Sequence, residues 1–221
     1  MTRQKFEEDP MLDPDLLTAV RSDLDRWEGY FAWMYLDSVG LVTVGYGTML
    51  PDARAASLLP FFHSTGVAAT MAEITKAYDA LKTGSATQKA ASSKHKFGAQ
   101  HYQTSSDLII TRATASLLRD DHISRDYTQL LDIYETFDTL PQAAKVALFD
   151  MIYNLGPGHQ KTHHHRATGL RAFGTMNQAI AAGKWDDAAK HSLRHGIPAE
   201  RNKAIADMFK SCAPPVKKTV P

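Results

Sequence analysis

The chain has 221 residues, of which 43% are hydrophobic and 22% are charged. This composition is typical of a folded globular protein with a substantial core, in one domain or in two lobes that share a connecting element, and it excludes an intrinsically disordered chain. Lys and Arg number 25 against 24 Asp and Glu, so the net charge of +1 provides no general attraction to nucleic acid.

The chain shows no sign of oxidative folding, secretion or membrane insertion. A single cysteine, Cys212, excludes an internal disulfide and a cysteine-based zinc site, which fits a protein made in the cytoplasm. The first residues, MTRQKFEEDPMLDP, are polar and acidic, so we expect no signal peptide. No stretch reaches the roughly 18 apolar residues of a membrane span. Any work outside the cytoplasm would therefore need another agent to carry the protein there.

The first predicted element is a helix that begins near Asp13. Asp13 can cap this helix, and Pro14 suits its first position. Apolar residues recur at helical spacing and predict one buried stripe, formed by Leu16, Leu17, Val20, Leu24 and Trp27. Gly29 predicts the end of the helix and leaves Glu28 at that end, beside the buried stripe.

The next segment, FAWMYLDSVGLVTVGYGTML, changes to the period of a strand. Val42, Val44 and Tyr46 alternate with small or polar residues, and DSVG before them is a turn signal. We predict a small hairpin with Asp37 at the end of its first strand and Thr43 in its second. An odd loop would place these two side chains on one face, whereas a two-residue loop would place them on opposite faces.

The rest of the chain is predicted to be mainly helical. Residues 52–82 indicate helices that stop at Gly84, followed by a small, basic and flexible loop up to residue 102. Helices continue from Ser106, including a buried central helix between Pro141 and Gly156. Because the strands come early and the helices come late, the pattern predicts an α+β fold.

Glu28 and Asp37 form a candidate pair of catalytic carboxyl groups. Partial burial near the apolar stripe would favour the protonated form of Glu28, whereas Asp37 at a turn should be solvated and ionised. A glycosidase needs one carboxylic acid to protonate the leaving oxygen and one carboxylate to hold water or act as the nucleophile. The hydroxyl of Thr43 is suited to orienting that water. Each residue taken alone is more often an ordinary surface or turn residue.

The arrangement of these residues resembles the catalytic triad of phage-type lysozymes, a family of endolysin muramidases. Eight residues separate Glu28 from Asp37, and five separate Asp37 from Thr43. The segments YLDSVGLVTVGYG and TVGYG resemble the family's tyrosine–x–aspartate hairpin and threonine–x–glycine–x–glycine strand. Three later segments resemble family segments in the same order: LFDMIYNLGPG, GLRAFGTMNQAIAAGKWDDAA and PAERNKAIADMF. The likeness covers roughly residues 12–60 and 137–210.

The resemblance implies a hydrolase that cleaves the β-1,4 bond between N-acetylmuramic acid and N-acetylglucosamine in bacterial peptidoglycan, without a cofactor or metal. Glu28 would be the general acid, and Asp37 and Thr43 would position the attacking water. Inversion at the anomeric carbon is the outcome that the resemblance favours. A lytic transglycosylase and a non-catalytic wall-binding or particle-structural module are the alternatives.

The resemblance also implies supporting residues outside the triad. Arg201 would pair with Glu28 and hold it in place, although an ordinary surface arginine is an equal alternative. Met49, Tyr153 and His191 correspond to substrate-binding positions. For Tyr153 the alternative is a simple core residue, and for His191 a solvated helix residue.

Two features depart from the family pattern, and a separate histidine run needs its own interpretation. Thr48 stands where the family usually has histidine, and residues 60–136 have no secure counterpart in the family. The run of His163, His164 and His165 is suited to a polar loop. A metal site there is the weaker alternative, because three consecutive residues do not all point at one ion in regular structure.

The resemblance predicts a lysozyme-like, monomeric protein with a cleft between two lobes. The small lobe with the hairpin would cover about residues 12–65, the helical lobe about 66–210 and a frayed tail 211–221. The predicted partner is peptidoglycan, with an immunity protein as a further partner if the protein is an antibacterial effector toxin. We expect action in the bacterial periplasm, after release through a holin or delivery by a secretion system.

Overall fold

The structure, a computed structural model, describes residues 12–38, 40–91, 98–163 and 165–214, and gives only the backbone for 84–91. The fold is α+β, which confirms the predicted class. The chain divides into two compact units. The hairpin unit is Leu24–His122, and the helical unit combines the residues up to Asp23 with those from Ile123 onward. The hairpin unit thus extends well beyond the predicted end of the small lobe at about residue 65.

The first helix, α1 (Pro14–Glu28), has the predicted ends. The Asp13 carboxylate accepts hydrogen bonds from the backbone N–H groups of Asp15 at 3.1 Å and Leu16 at 2.9 Å, as an N-cap does. At the other end Gly29 has a φ of +67°, a conformation in which a residue without Cβ is not strained. The buried members of the apolar stripe are Leu16, Val20 and Leu24.

The predicted hairpin is present in the hairpin unit and carries a third short strand. The strands of this antiparallel sheet, in spatial order, are β1 (Phe31–Leu36), β2 (Val42–Gly45) and β3 (Thr48–Met49). The sheet is covered by a core of apolar side chains that includes Met34, Val44 and Tyr78. The hairpin is therefore packed into the core of its unit.

The region after the sheet differs from the prediction in two ways. The elements are α2 (Ala53–Ser57), β4 (Phe62–His63), α3 (Met71–Ala91), a 3-10 turn (Ala99–Tyr102) and β5 (Leu108–Ile109). Strands β4 and β5 form a second antiparallel sheet that the sequence did not indicate. Helix α3 runs through Gly84, so the predicted stop there is wrong. A glycine inside a helix costs only about 1 kcal/mol relative to alanine, so it does not by itself end a helix.

The remaining helices follow the predicted order. They are α4 (Arg112–Ile133), α5 (Gln142–Leu155), α6 (Gly174–Ala181), α7 (Trp185–Lys190) and α8 (Ala199–Ser211). Every residue of α5 from Val146 to Ile152 is buried, which confirms the predicted central helix. Among the described helices, none combines the length and the apolar character that crossing a bilayer requires.

Candidate functional site

The hairpin brings Asp37 and Thr43 onto one face of the sheet. Tyr35 and Thr43 are directly paired across β1 and β2. Beyond that pair, the Asp37 N–H donates to the Leu41 carbonyl, and the Leu41 N–H donates to Asp37 Oδ1, both at 2.9 Å. Three positions of the sequence separate this pair, so the connection has the odd-numbered length of the two alternatives. Because side chains alternate along a strand, Tyr35, Asp37 and Thr43 share a face.

A bulge in β1 bends the strand before it reaches this face. Phe31 pairs with Gly45 and Tyr35 with Thr43, so β1 advances four residues while β2 advances two. Extra residues on one strand of a pair bend it and redirect its side chains. The bulge lies between the end of α1, where Glu28 is, and the part of β1 that precedes Asp37.

The buried phenol of Tyr35 is influenced by the negative charges of both predicted catalytic carboxyl groups. Burial raises the pKa of Tyr35, and the negative charges of Glu28 and then Asp37 raise it further. Both carboxylates therefore lie within electrostatic reach of one buried hydroxyl group. Tyr35 also pairs with Thr43 across the sheet, so it neighbours one predicted catalytic residue and is influenced by the charges of the other two.

The three predicted catalytic residues differ in their access to solvent. Glu28 and Asp37 are half-buried, whereas Thr43 is only 3% exposed. The hydroxyl of Thr43 donates to the Leu41 carbonyl at 3.2 Å. Because this bond uses the hydroxyl hydrogen, a water near Thr43 would have to donate a hydrogen bond to the hydroxyl oxygen, whose lone pairs can accept it.

Tyr35 is a site residue that the sequence reasoning missed. It is 9% exposed, and its ring packs edge-on against Phe31 with a centroid distance of 5.3 Å. The signal was present in the sequence, because residues 35 and 37 of one strand must share a face. Sequence reasoning used this tyrosine only as part of a family motif and gave it no role.

Strand β3 places two further residues beside the triad. Met49 pairs with Thr43 and is 50% exposed, so its thioether is available at the edge of the site. Thr48, which replaces the family's usual histidine, pairs with Val44. Its hydroxyl is buried and has no hydrogen-bond partner among the described residues.

Arg201 belongs to a buried ionic cluster in the helical unit. Its Nε and Nη2 both lie 2.7 Å from Asp150 Oδ2. Arg194 Nη2 approaches the other oxygen, Asp150 Oδ1, at 2.7 Å. Arg201 is only 5% exposed, which excludes the ordinary surface arginine considered above. Its pairing with Glu28 joins residues of different units and stays a prediction. The sequence signal for Asp150 was a lone acid in the apolar helix α5.

Tyr153 and His191 also lie in the helical unit. Tyr153 is half-buried near the end of α5. His191 is exposed at the end of α7 and lines a surface pocket of about 320 Å³ together with Gln178, Lys184 and Asp187. The structure therefore groups Glu28, Asp37, Thr43 and Met49 in one unit. The substrate-binding roles of Tyr153 and His191 stay predictions.

The histidine run lies in an irregular segment of the helical unit. His163 and His165 are exposed, and His164 falls outside the described residues. The ring of His165 lies 6.2 Å from that of His159. Within the described part of the chain, no three His, Cys, Asp or Glu side chains are grouped closely enough to hold a metal ion. The exposure of both described histidines is what a polar loop requires.

Comparison with known proteins adds no family assignment. The chain matches no protein-family model, and no curated protein matches it either. The motifs in the sequence and the geometry around Tyr35 are therefore the features that bear on its function.

Proposed function

We propose that the protein is a muramidase that hydrolyses the β-1,4 bond between N-acetylmuramic acid and N-acetylglucosamine in bacterial peptidoglycan. The observation that carries this proposal is that Asp37 and Thr43 share one face of the hairpin with Tyr35, whose pKa is raised by the negative charges of both Glu28 and Asp37. Their half-buried state leaves both accessible to a substrate.

The proposed reaction uses the two carboxyl groups on opposite faces of the sugar ring. Glu28 gives its proton to the glycosidic oxygen as the bond from that oxygen to the anomeric carbon breaks. A water held by Asp37 and the Thr43 hydroxyl oxygen forms the new bond to the anomeric carbon and gives its proton to Asp37. The products are two sugar ends, and the configuration at the anomeric carbon is inverted. This route requires a separation of roughly 6.5–9.5 Å between the carboxyl groups, whereas about 5–5.5 Å would argue for retention.

The residues around the pair support a sugar-chain substrate. Met49 offers an exposed apolar contact next to Thr43. Gly47 is partly exposed, has a φ of +84° and carries no side chain that would keep a polymer away from the backbone. In the helical unit, the polar pocket beside His191 is a further place for wall contacts, and Tyr153 is proposed to contact substrate as well.

The proposed setting is a bacterial periplasm, reached either by an endolysin through holin lesions or by an antibacterial effector through a secretion system. An effector would have an immunity protein as its partner. An adjacent gene for a holin or for an immunity protein distinguishes these two settings.

The proposal is tested by digesting purified peptidoglycan and analysing the soluble products by mass spectrometry. A muramidase releases muropeptides with reducing N-acetylmuramic acid ends. Products with anhydro ends would instead assign a lytic transglycosylase, which needs the acid but no positioned water. Binding to the wall without soluble products would assign a wall-binding module. The Asp37→Asn variant should release almost nothing, whereas Asp79→Asn, which changes an exposed aspartate of the same unit, should match the wild type.

A further inference from the structure

Two tyrosines stand side by side at the base of the hairpin. Tyr30 follows Gly29 at the entrance to β1, and Tyr46 follows Gly45 at the exit of β2. Their ring centroids are 5.5 Å apart and their planes are tilted by 45°. The Tyr30 hydroxyl donates to the Ile110 carbonyl at 2.8 Å, which ties the entrance of the hairpin to the segment before α4.

Arg112, the first residue of α4, contacts both tyrosines. Its guanidinium carbon lies 4.3 Å from the centroid of the Tyr30 ring, within the range of a cation–π interaction. Its Nη1 donates to the Tyr46 hydroxyl at 2.8 Å. One planar cation thus stacks on the residue that enters the hairpin and bonds the residue that leaves it. A lysine has no planar group that makes both contacts at once.

The next turns of α4 reinforce this contact. The guanidinium carbon of Arg119 lies 5.0 Å from the Tyr46 ring centroid, and Arg119 forms a salt bridge with Asp25 of α1. Ala115 lies between Arg112 and Arg119 along α4. A Cβ placed on Gly45 would lie 3.1 Å from the Ala115 Cβ, so helix and strand are in close contact. The helix, the last turns of α1 and the base of the hairpin are therefore held together by several independent contacts.

The base of the hairpin lies between Glu28 and Asp37 along the chain, so its orientation affects the distance between their carboxyl groups. Only Gly29 separates Glu28 from Tyr30, whereas Asp37 lies at the far end of β1. A rotation of the hairpin at its base would carry Asp37 and Thr43 away from Glu28. Displacements of about 1 Å between reacting groups can reduce rates by about a hundredfold.

We propose that Arg112 is a positioning residue, which sets the direction in which the hairpin leaves α1 and thereby the placement of Asp37 relative to Glu28. This inference rests on the proposed function, because it assumes that the pair acts on a substrate. Arg112 itself takes no part in the reaction and acts through Tyr30 and Tyr46.

The test compares Arg112→Met, Arg112→Lys and Tyr46→Phe in steady-state hydrolysis of soluble peptidoglycan. We expect Arg112→Met to lower kcat about tenfold to a hundredfold while KM stays within about twofold, since the wall-contacting residues are unchanged. Arg112→Lys should restore only a small part of this loss. The double variant Arg112→Met/Tyr46→Phe should be no worse than Arg112→Met alone, because both changes remove one shared contact. Arg54→Met, at an exposed arginine of the same unit, should leave both constants unchanged.

A second readout separates this inference from the proposed function. Burial raises the pKa of Tyr30, and the positive charge of Arg112 opposes that rise. NMR titration of ring-labelled tyrosine should therefore show a further rise in the pKa of Tyr30 in Arg112→Met, whether or not the protein cleaves peptidoglycan. If the wild type does not cleave peptidoglycan but Arg112→Met shows this pKa shift, the proposed function is rejected and the contact of Arg112 with Tyr30 is established. An active Arg112→Met with wild-type kcat and the same shift would overturn the positioning role.

Discussion

The two units hold their charged side chains in opposite ways. In the hairpin unit, Glu28 and Asp37 are half-buried, and the negative charge of each raises the pKa of Tyr35. In the helical unit, Asp150 is fully buried between the guanidinium groups of Arg194 and Arg201. Buried ions are tolerated only when partners replace the lost water, so the loss of one member of the second cluster would destabilise the fold. The first pair keeps access to solvent, as groups that exchange protons with a substrate must.

This comparison predicts that mutations in the two clusters affect different quantities. Changes in the hairpin pair should reduce activity with little loss of stability. Changes in the buried cluster should reduce stability first, and activity only as a consequence.

The largest expected effect is on catalysis by Glu28→Gln. Removing the general acid should reduce peptidoglycan hydrolysis by about 10²–10⁴-fold, since this is what a positioned proton donor contributes. The thermal midpoint should change by no more than a few degrees. Release of reducing ends and circular dichroism melting are the two measurements. Glu135→Gln, which makes the same chemical change at an exposed site, serves as the control and should keep full activity.

A large expected effect on stability comes from Asp150→Ala. Two buried guanidinium groups would lose their carboxylate, which typically destabilises a protein by about 3–5 kcal/mol. Chemical denaturation measures this change. Asp132→Ala is the matched control, because Asp132 is an exposed partner of Arg171 in the same unit and such surface pairs contribute about 0–1 kcal/mol. Equal losses in both variants would contradict the contrast between the units.

A pH-dependent effect is expected from Asp126 in α4. Burial raises the pKa of Asp126 to about 7, against about 3.9 in an unfolded chain. Between these values the folded protein retains a proton that the unfolded chain has released, so the stability falls as the pH rises and levels off above about 7. Three pKa units correspond to at most about 4 kcal/mol.

The Asp126→Asn variant lacks this titration. Its stability relative to the wild type should therefore increase between pH 5 and pH 8, by about 2–3 kcal/mol, as measured by urea unfolding at both values. Parallel pH dependence in the two proteins would disprove the assignment. The exposed Asp121 of the same helix provides the control variant, Asp121→Asn, which should follow the wild type.

The smallest expected effect is that of Gly45→Ala in the hairpin. Gly45 has a φ of +68°, and an added Cβ would stand 3.1 Å from Ala115. The left-handed conformation alone costs about 1–2 kcal/mol for an alanine. Gly98→Ala is the control, because Gly98 has an ordinary φ and nothing within 4 Å of an added Cβ. A neutral Gly45→Ala would show that the base of the hairpin is less constrained than the contacts with α4 indicate.

Local signals in the sequence predicted the elements that carry the proposed site. Asp13 and Gly29 gave the ends of α1, and the alternation from Val42 to Tyr46 gave β2. These predictions succeeded because capping, left-handed glycine and two-residue periodicity depend on neighbours in the chain. The same reasoning left the loop length open between two alternatives, and the backbone pairing of Asp37 with Leu41 decided it.

Contacts between distant residues were beyond the sequence. The pairing of His63 with Leu108 creates the second sheet, and neither strand is long enough to show a period. Arg112 and Tyr46 are 66 positions apart, and the sequence around neither residue predicts their contact. The bulge in β1 between Phe31 and Tyr35 was likewise not revealed by the sequence, because it depends on how β1 pairs with β2.

The most direct test of the central claim is a crystal structure of the Glu28→Gln variant with a peptidoglycan tetrasaccharide bound. The account predicts the scissile glycosidic oxygen within about 2.6–3.2 Å of the side chain at position 28, and a water between Asp37 and the opposite face of the sugar ring. A saccharide bound elsewhere, with the side chains at positions 28 and 37 facing only bulk solvent, would contradict it.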